Sequence, residues 1–251
     1  MTRPRDPLGN PGVELIDTAD AYGPAFAEQL ISAALWPYEG VTVATKGGMT
    51  RPGPHDWVPN GRPEHLRRSC VASLRRLRID AISLYQLHMP DPVVPFEESV
   101  GALAELQREG KVVDVGLSNV TAVQLEKALG IVPIASVQNG YNLLNRESRD
   151  VVDACEQRRV PFLAWFPLSS GSLATTRRLE QVASAKGATP AQVALAWLLH
   201  ESPMIIPIPG TTSIDHLEQN LDSERLTLSE AEVTHISGRR APARRGLARA
   251  V

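Results

Sequence analysis

Seven short apolar runs punctuate this chain, and each is followed by a loop or by a stretch with helical periodicity. They are VELIDT (13–18), VTVATK (41–46), AISLYQLH (81–88), VVDVGLS (112–118), IASVQN (134–139), PFLAWF (161–166) and MIIPIPG (204–210). Most are near-continuous Val, Ile, Leu and Ala rather than clean alternations, which is the pattern of parallel strands covered on both faces. Between them, Glu64 to Leu77 sets Leu66, Cys70, Leu74 and Leu77 at helical spacing. Arg67, Arg68, Arg75 and Arg76 then read as the solvated face. Phe96 to Glu109 repeats the device with Val100, Leu103 and Leu106, and Gly110 follows as a C-cap. Thr189-Pro190 with Gln192 opens a helix through His200, and Ser229 with Glu232 opens a last one; both are capping boxes.

Strand–helix alternation over the whole length places the chain in the α/β class. Polar residues gather just after several of the strands, as in a TIM-type (β/α)8 barrel whose site lies at the strand C-terminal ends. A doubly wound dinucleotide-binding sheet lacks its fingerprint, because no G-x-G-x-x-G follows any strand. The expectation is one barrel domain over residues 1–251, with an irregular segment at 1–12 and a mobile basic tail at 238–251. A closed barrel needs eight strands and the sequence offers seven, so the first strand–helix unit, ahead of Val13, is missing. Val13–Thr18 and the last strand would then each present an unpaired edge, which invites association. Monomer and homo-oligomer both stay open.

The composition narrows the function. A formal net charge of -2 with 22% charged residues gives no basis for nucleic acid or membrane partners. No run approaches the ~20 apolar residues of a membrane helix. Cys70 and Cys155 carry no metal-like spacing and no disulfide framework, so a reducing, cytoplasmic setting is expected. The histidines His55, His65, His200, His216 and His235 form no zinc motif, and no G-x-S-x-G elbow is present; no metal is expected.

The strand ends carry the chemistry. The first run delivers Asp17 and, five residues on, Tyr22; the second ends at Lys46 and the third at His88. Lys46 is placed to pair with Asp17 and to sit beside the Tyr22 hydroxyl. An ammonium next to a phenol favours the phenolate, which equips a Tyr to protonate an alkoxide forming on a carbonyl. His88 would orient that carbonyl or share the proton. The fourth to seventh strands end at Ser118-Asn119, Gln138-Asn139, Trp165 and Gly210-Thr211. Trp57, in the long loop RPGPHDWVPNGRP after Lys46, is a candidate wall for the substrate.

The phrases IDTADAYG, VTVATKGG, SCVASLRRLRIDAISLYQLH, GKVVDVGLSN, SVQNGYNLLNR, PFLAWFPLSSG, ATPAQVALAWLL and IPIPGTTSIDHLEQNL together resemble the aldo-keto reductase family, from about Gly12 to Ser237. The resemblance implies a (β/α)8 barrel that binds extended NAD(P)H across the strand ends and reversibly reduces aldehydes or ketones. It implies a catalytic group of Asp17, Tyr22, Lys46 and His88, with Tyr22 as general acid. Ser118, Asn119 and Gln138 would hold the nicotinamide carboxamide, and Trp165 would stack on its ring. Pro167, Leu168, Ser169 and Gly171 would line the pyrophosphate path, and Gly210, Thr211, His216, Gln219 and Asn220 the adenosine end. Two departures stand out. The family's usual first strand and helix are absent, and GTTSIDHLEQN holds no Lys or Arg for a 2′-phosphate. NADPH is therefore the expected cofactor with NADH as an alternative, and the partner is a small carbonyl compound. The competing reading is a cofactor-binding regulatory or catalytically impaired barrel subunit.

Overall fold

The computed structural model describes residues 12–53, 55–169 and 177–238. In chain order the elements are β1 (Leu15–Asp17), α1 (Phe26–Leu35), β2 (Thr42–Gly47), β3 (Met49–Thr50), β4 (Val58–Pro59), α2 (Pro63–Leu77), β5 (Ile82–Leu87) and α3 (Phe96–Arg108). There follow β6 (Val112–Ser118), α4 (Ala122–Leu129), β7 (Ile134–Gly140), α5 (Arg149–Arg158), β8 (Phe162–Trp165) and α6 (Arg177–Lys186). The described chain closes with α7 (Pro190–Glu201), β9 (Ile205–Pro207), α8 (Ile214–Asp222), a 3-10 turn at Ser223–Arg225 and α9 (Glu230–Ser237).

The seven apolar runs become seven parallel strands in the order β1-β2-β5-β6-β7-β8-β9, a curled sheet of the α/β barrel class. Among the described residues β1 pairs only with β2 and β9 only with β8, so the two open edges fall where the sequence placed them. The apolar faces of the strands and of the surrounding helices bury a continuous core that includes Leu66, Leu103, Leu117, Val137 and Phe162. Each such side chain contributes roughly 1.5–3 kcal/mol on leaving water. Helix α7 is buried nearly all round through Val193–Leu198. Its Trp197 stacks at 6.2 Å on Tyr141, which meets Phe162 edge-on at 6.0 Å.

The sequence-derived caps recur. Thr189 and Ser229 each accept from the backbone three residues on, and Gln192 and Glu232 reach back to close the box. Gly110, with φ at 72°, follows α3 in a conformation that a side chain would strain.

Two features depart from the sequence reading. The loop after Lys46 contains a two-stranded antiparallel hairpin, β3–β4, pairing Met49 with Pro59 and Thr50 with Val58. The arginines of α2 do not form one solvated face. Arg76 turns inward, and its Nε donates to the fully buried Glu28 at 2.5 Å. Arg67 bridges to Glu105 and Glu109 of α3. The reason is packing: α2 lies between α1 and α3, so two of its flanks meet protein rather than water.

Candidate active site

Strand β1 ends at Asp17, and the turn after it is tied to the neighbouring strand. The Thr18 amide donates to the Ala44 carbonyl (2.9 Å) and the Asp20 amide to the Lys46 carbonyl (3.2 Å). That fixes the short path from Asp17 to Tyr22. Lys46 near the end of β2 is fully buried, yet all three of its donors are used. Nζ donates to Asp17 Oδ2 at 2.5 Å, to the Thr18 carbonyl at 2.9 Å and to the Tyr22 hydroxyl oxygen at 3.3 Å. An ammonium has no lone pair, so the Tyr22 oxygen can only accept from it. The phenol's own hydrogen remains to be donated elsewhere, and Tyr22 lines the cavity.

The other oxygen of Asp17 is held by two amides the sequence reading had not joined to it. Gln86 Nε2 donates to Oδ1 at 3.1 Å and Gln138 Nε2 at 2.8 Å. Gln86 had a readable signal: in the run AISLYQLH it sits two residues before His88, and extended backbone carried through Leu87 would turn both side chains to the same face. Gln138, assigned to the cofactor by resemblance, thus commits its amino group to Asp17.

His88 follows β5, with its amide donating to the Gly47 carbonyl at 2.8 Å and its carbonyl accepting from Asn119 Nδ2 at 3.0 Å. Burial, and then the Lys46 charge, pull its imidazole down to about 3. The ring is therefore neutral across physiological pH and offers one donor and one acceptor. Its Nδ1 is buried without a hydrogen-bond partner among the described residues. Tyr22, Trp57 and His88 pack edge to face in a triangle, with centroids 5.7 to 6.2 Å apart.

The cavity these residues open onto has a volume of about 990 Å³. Its wall includes Asp17, Tyr22, His88, Trp57, Ser118, Asn119, Gln138, Trp165, Pro167, Leu168 and Gly210, all named from the sequence. Asn119 adopts φ 59°, a left-handed conformation that Asn tolerates better than most residues, and donates to Ser118 Oγ at 3.0 Å. Asn139 clamps the same turn by bonding both the amide and the carbonyl of Val120. The Trp165 ring lies against Gly140, where a Cβ would come within 3.0 Å of two indole carbons.

Some expected residues sit apart from this wall. Ser169, Thr211, His216, Gln219 and Asn220 do not line the cavity. Ser213 caps α8, its Oγ accepting from the His216 amide at 3.3 Å, and its own amide donates to Thr211 Oγ1 at 3.1 Å. Gly171 lies outside the described residues. Conversely Met49, Arg51, Met89 and Phe166 line the cavity without having been singled out. Phe166, at φ 50°, packs edge-on against Trp165 at 4.9 Å. No cluster of metal-ligating side chains occurs among the described residues, and none of their helices is long and apolar enough to cross a membrane.

Behind the tetrad lies a second polar cluster. Thr45 Oγ1 donates to Glu28 Oε1 at 2.6 Å, and Arg76 meets the other oxygen. Burial, reinforced by Glu28, pushes the Asp20 carboxyl up to about 6 against the opposing pull of Ser69 and Arg76.

A sequence model of the aldo/keto reductase family matches residues 9–239. The chain belongs to this family. Among curated relatives, an uncharacterized oxidoreductase of Schizosaccharomyces pombe is 43% identical over 218 residues, covering 86% of this chain and 71% of that one. The pyridoxine 4-dehydrogenase of Escherichia coli is 40% identical over 234 residues, covering 90% and 82%. Among solved structures, an aldo-keto reductase from Klebsiella pneumoniae in complex with NADPH superposes with a TM-score of 0.78 at 28% identity, covering 91% of this chain and 80% of that one. The aldo/keto reductase assignment makes the chain an oxidoreductase.

Proposed function

We propose that this protein reduces an aldehyde or ketone to an alcohol with NADPH, with Tyr22 as the proton donor. The single observation that carries the reading is the position of the Tyr22 hydroxyl. It accepts from a fully buried Lys46 at 3.3 Å while lining the cavity, so its own proton can only go outward.

The residues along the far wall fit a nicotinamide dinucleotide. The cavity exceeds what a small carbonyl compound fills. The Ser118 hydroxyl and Asn119 carboxamide match a carboxamide, and the partly exposed Trp165 ring matches a flat heterocycle. Pro167, Leu168 and Ser169 would hold the diphosphate path, and Gly210 would border the adenosine end. Thr211, His216, Gln219 and Asn220 would meet the adenosine end through uncharged hydrogen bonds, since no Lys or Arg lies in that segment. NADPH, when bound, supplies the reducing equivalent.

The chain's own residues do the rest. Neutral His88 donates to the substrate oxygen and sets its angle. As negative charge builds on that oxygen, Tyr22 transfers its proton, and the resulting phenolate faces the Lys46 ammonium. Asp17 keeps that ammonium in place and is itself fixed by Gln86 and Gln138. Positioned acid catalysis of this type contributes typically 10²–10⁴-fold. The test is NADPH oxidation with a panel of small aldehydes. Stoichiometric alcohol formation is expected, and cofactor binding without turnover on any carbonyl would overturn the reading in favour of a regulatory barrel.

A further inference from the structure

Strand β1 is three residues long and pairs, among the described residues, only with β2. One strand neighbour is thin support for the pair at its end, Asp17 and Tyr22, on whose placement the proton transfer depends. Further support comes from inside the barrel. Asp17, Gln86 and Gln138 belong to β1, β5 and β7, the first, third and fifth strands of the sheet. Alternate strands of a barrel send their inward side chains to one layer, which branched apolar residues ordinarily fill. Here the layer holds a carboxylate and two buried carboxamides, which is unfavourable unless they bond one another.

Gln86 joins the other two. Its Nε2 donates to Asp17 Oδ1 at 3.1 Å, and its Oε1 accepts from Gln138 Nε2 at 3.4 Å. Gln138 Nε2 also reaches Asp17 Oδ1, at 2.8 Å, so the three side chains close a ring of hydrogen bonds. The path of Gln86 needs room that β6 leaves open. Gln86 is in register with Gly116, where a Cβ would come within 2.8 Å of Gln86 Cγ and 2.6 Å of Ser136 Oγ. Gly116 has no positive φ, so the glycine answers to this space rather than to a backbone angle.

We infer that Gln86 is a positioning residue for the proton transfer: lodged in the gap at Gly116, it ties the short strand that carries Asp17 and Tyr22 to Gln138 on the far side of the barrel. Gln86 itself does not line the cavity, so it acts through Asp17 and the Lys46 ammonium rather than on substrate. This inference rests on the carbonyl-reductase reading.

Three variants of the whole chain test it. Gln86→Met nearly keeps the volume and removes both bonds, and Gly116→Ala pushes Gln86 aside without altering its chemistry. In Gln86→Glu the new carboxyl can donate to Asp17 only while protonated. In Gln86→Met and Gly116→Ala, kcat for aldehyde reduction should fall ~10-fold or more, the scale of one charge-assisted hydrogen bond. KM for the aldehyde and Kd for NADPH should stay within about threefold. In Gln86→Glu, kcat should approach the native value at acid pH and drop toward that of Gln86→Met as the new carboxyl ionises. That limb is absent from the native enzyme and from Gln86→Met, and a merely structural role would not produce it. Native-like kcat in Gln86→Met would overturn the inference, and so would Gln86→Glu tracking Gln86→Met at every pH.

If the native protein turns over no aldehyde, the reductase reading fails, and hydrogen exchange decides the positioning alone. The Thr18 and Asp20 amides, which bond the Ala44 and Lys46 carbonyls, should exchange ~10-fold faster or more in Gln86→Met, while the β6 and β7 amides keep their native rates. Unchanged protection of Thr18 and Asp20 would overturn it.

Discussion

The Lys46–Asp17 pair is the place where stability and chemistry meet. Lys46 is fully buried and the Asp17 side chain is only 10% exposed, so each charge depends on its partner for the solvation it has lost. Removing one member of such a pair strands the other and costs about 3–5 kcal/mol. Asp17→Asn should fall in that range, because the buried Lys46 ammonium loses its counter-charge and the new NH2 group must face either Lys46 or the donating amides of Gln86 and Gln138. Lys46→Met should sit at the lower end, about 3 kcal/mol, because Gln86 and Gln138 still donate to Asp17. The double variant removes both charges together and should cost roughly 2–3 kcal/mol less than the sum of the singles. Urea unfolding followed by circular dichroism reads all four proteins, and each kcal/mol should appear as ~2–4 °C in thermal scans of a chain this size. Additivity within about 0.5 kcal/mol would refute the claim that the two charges solvate each other.

Two further predictions follow from groups around the tetrad. Asp20 has its folded carboxyl raised to about 6, so the folded state holds a proton that the unfolded state has released, and stability is lost as pH rises from about 4 to 6. His88 is lowered to about 3, so its contribution runs the other way and is lost as pH falls below about 6.5. The two slopes oppose each other between about 4 and 6. Asp20→Asn should therefore unmask a loss of up to ~1.4 kcal/mol per pH unit on acidification that the native protein does not show. A pH-independent difference between the two proteins would contradict this. Gly140→Ala should weaken NADPH binding severalfold in a fluorescence titration, because the new Cβ would come within 3.0 Å of the Trp165 ring and displace it; an unchanged Kd would remove Trp165 from the cofactor wall.

Much of this was legible in the sequence because parallel strands advertise themselves as apolar runs and place their polar residues at the ends. VVDVGLS at 112–118 coincides with β6, and the other runs agree within a few residues. Asp17, Tyr22, Lys46 and His88 could be brought together by strand order alone. What stayed hidden depends on long-range geometry. The β3–β4 hairpin has two residues per strand, too few for a periodic signal, so Arg51 read as an ordinary loop residue beside Trp57. Gln86 was concealed inside an apolar run, where alternation had to be trusted over composition. Arg76 looked solvated because helical periodicity marks the face turned from the sheet and not the flanks that touch neighbouring helices. The adenosine-end residues on and before α8 were named by resemblance; of these, Thr211 Oγ1 and the His216 amide bond to Ser213 at the start of the helix.

The most direct test of the account is Tyr22→Phe, assayed for NADPH-dependent aldehyde reduction and, separately, for NADPH affinity. The phenyl ring retains the edge-to-face contacts with Trp57 and His88 and loses only the hydroxyl. The account predicts a fall in kcat of about 10²-fold or more, with Kd for NADPH nearly unchanged. Turnover within a few-fold of the native enzyme would contradict it, because the proton would then have to come from another group.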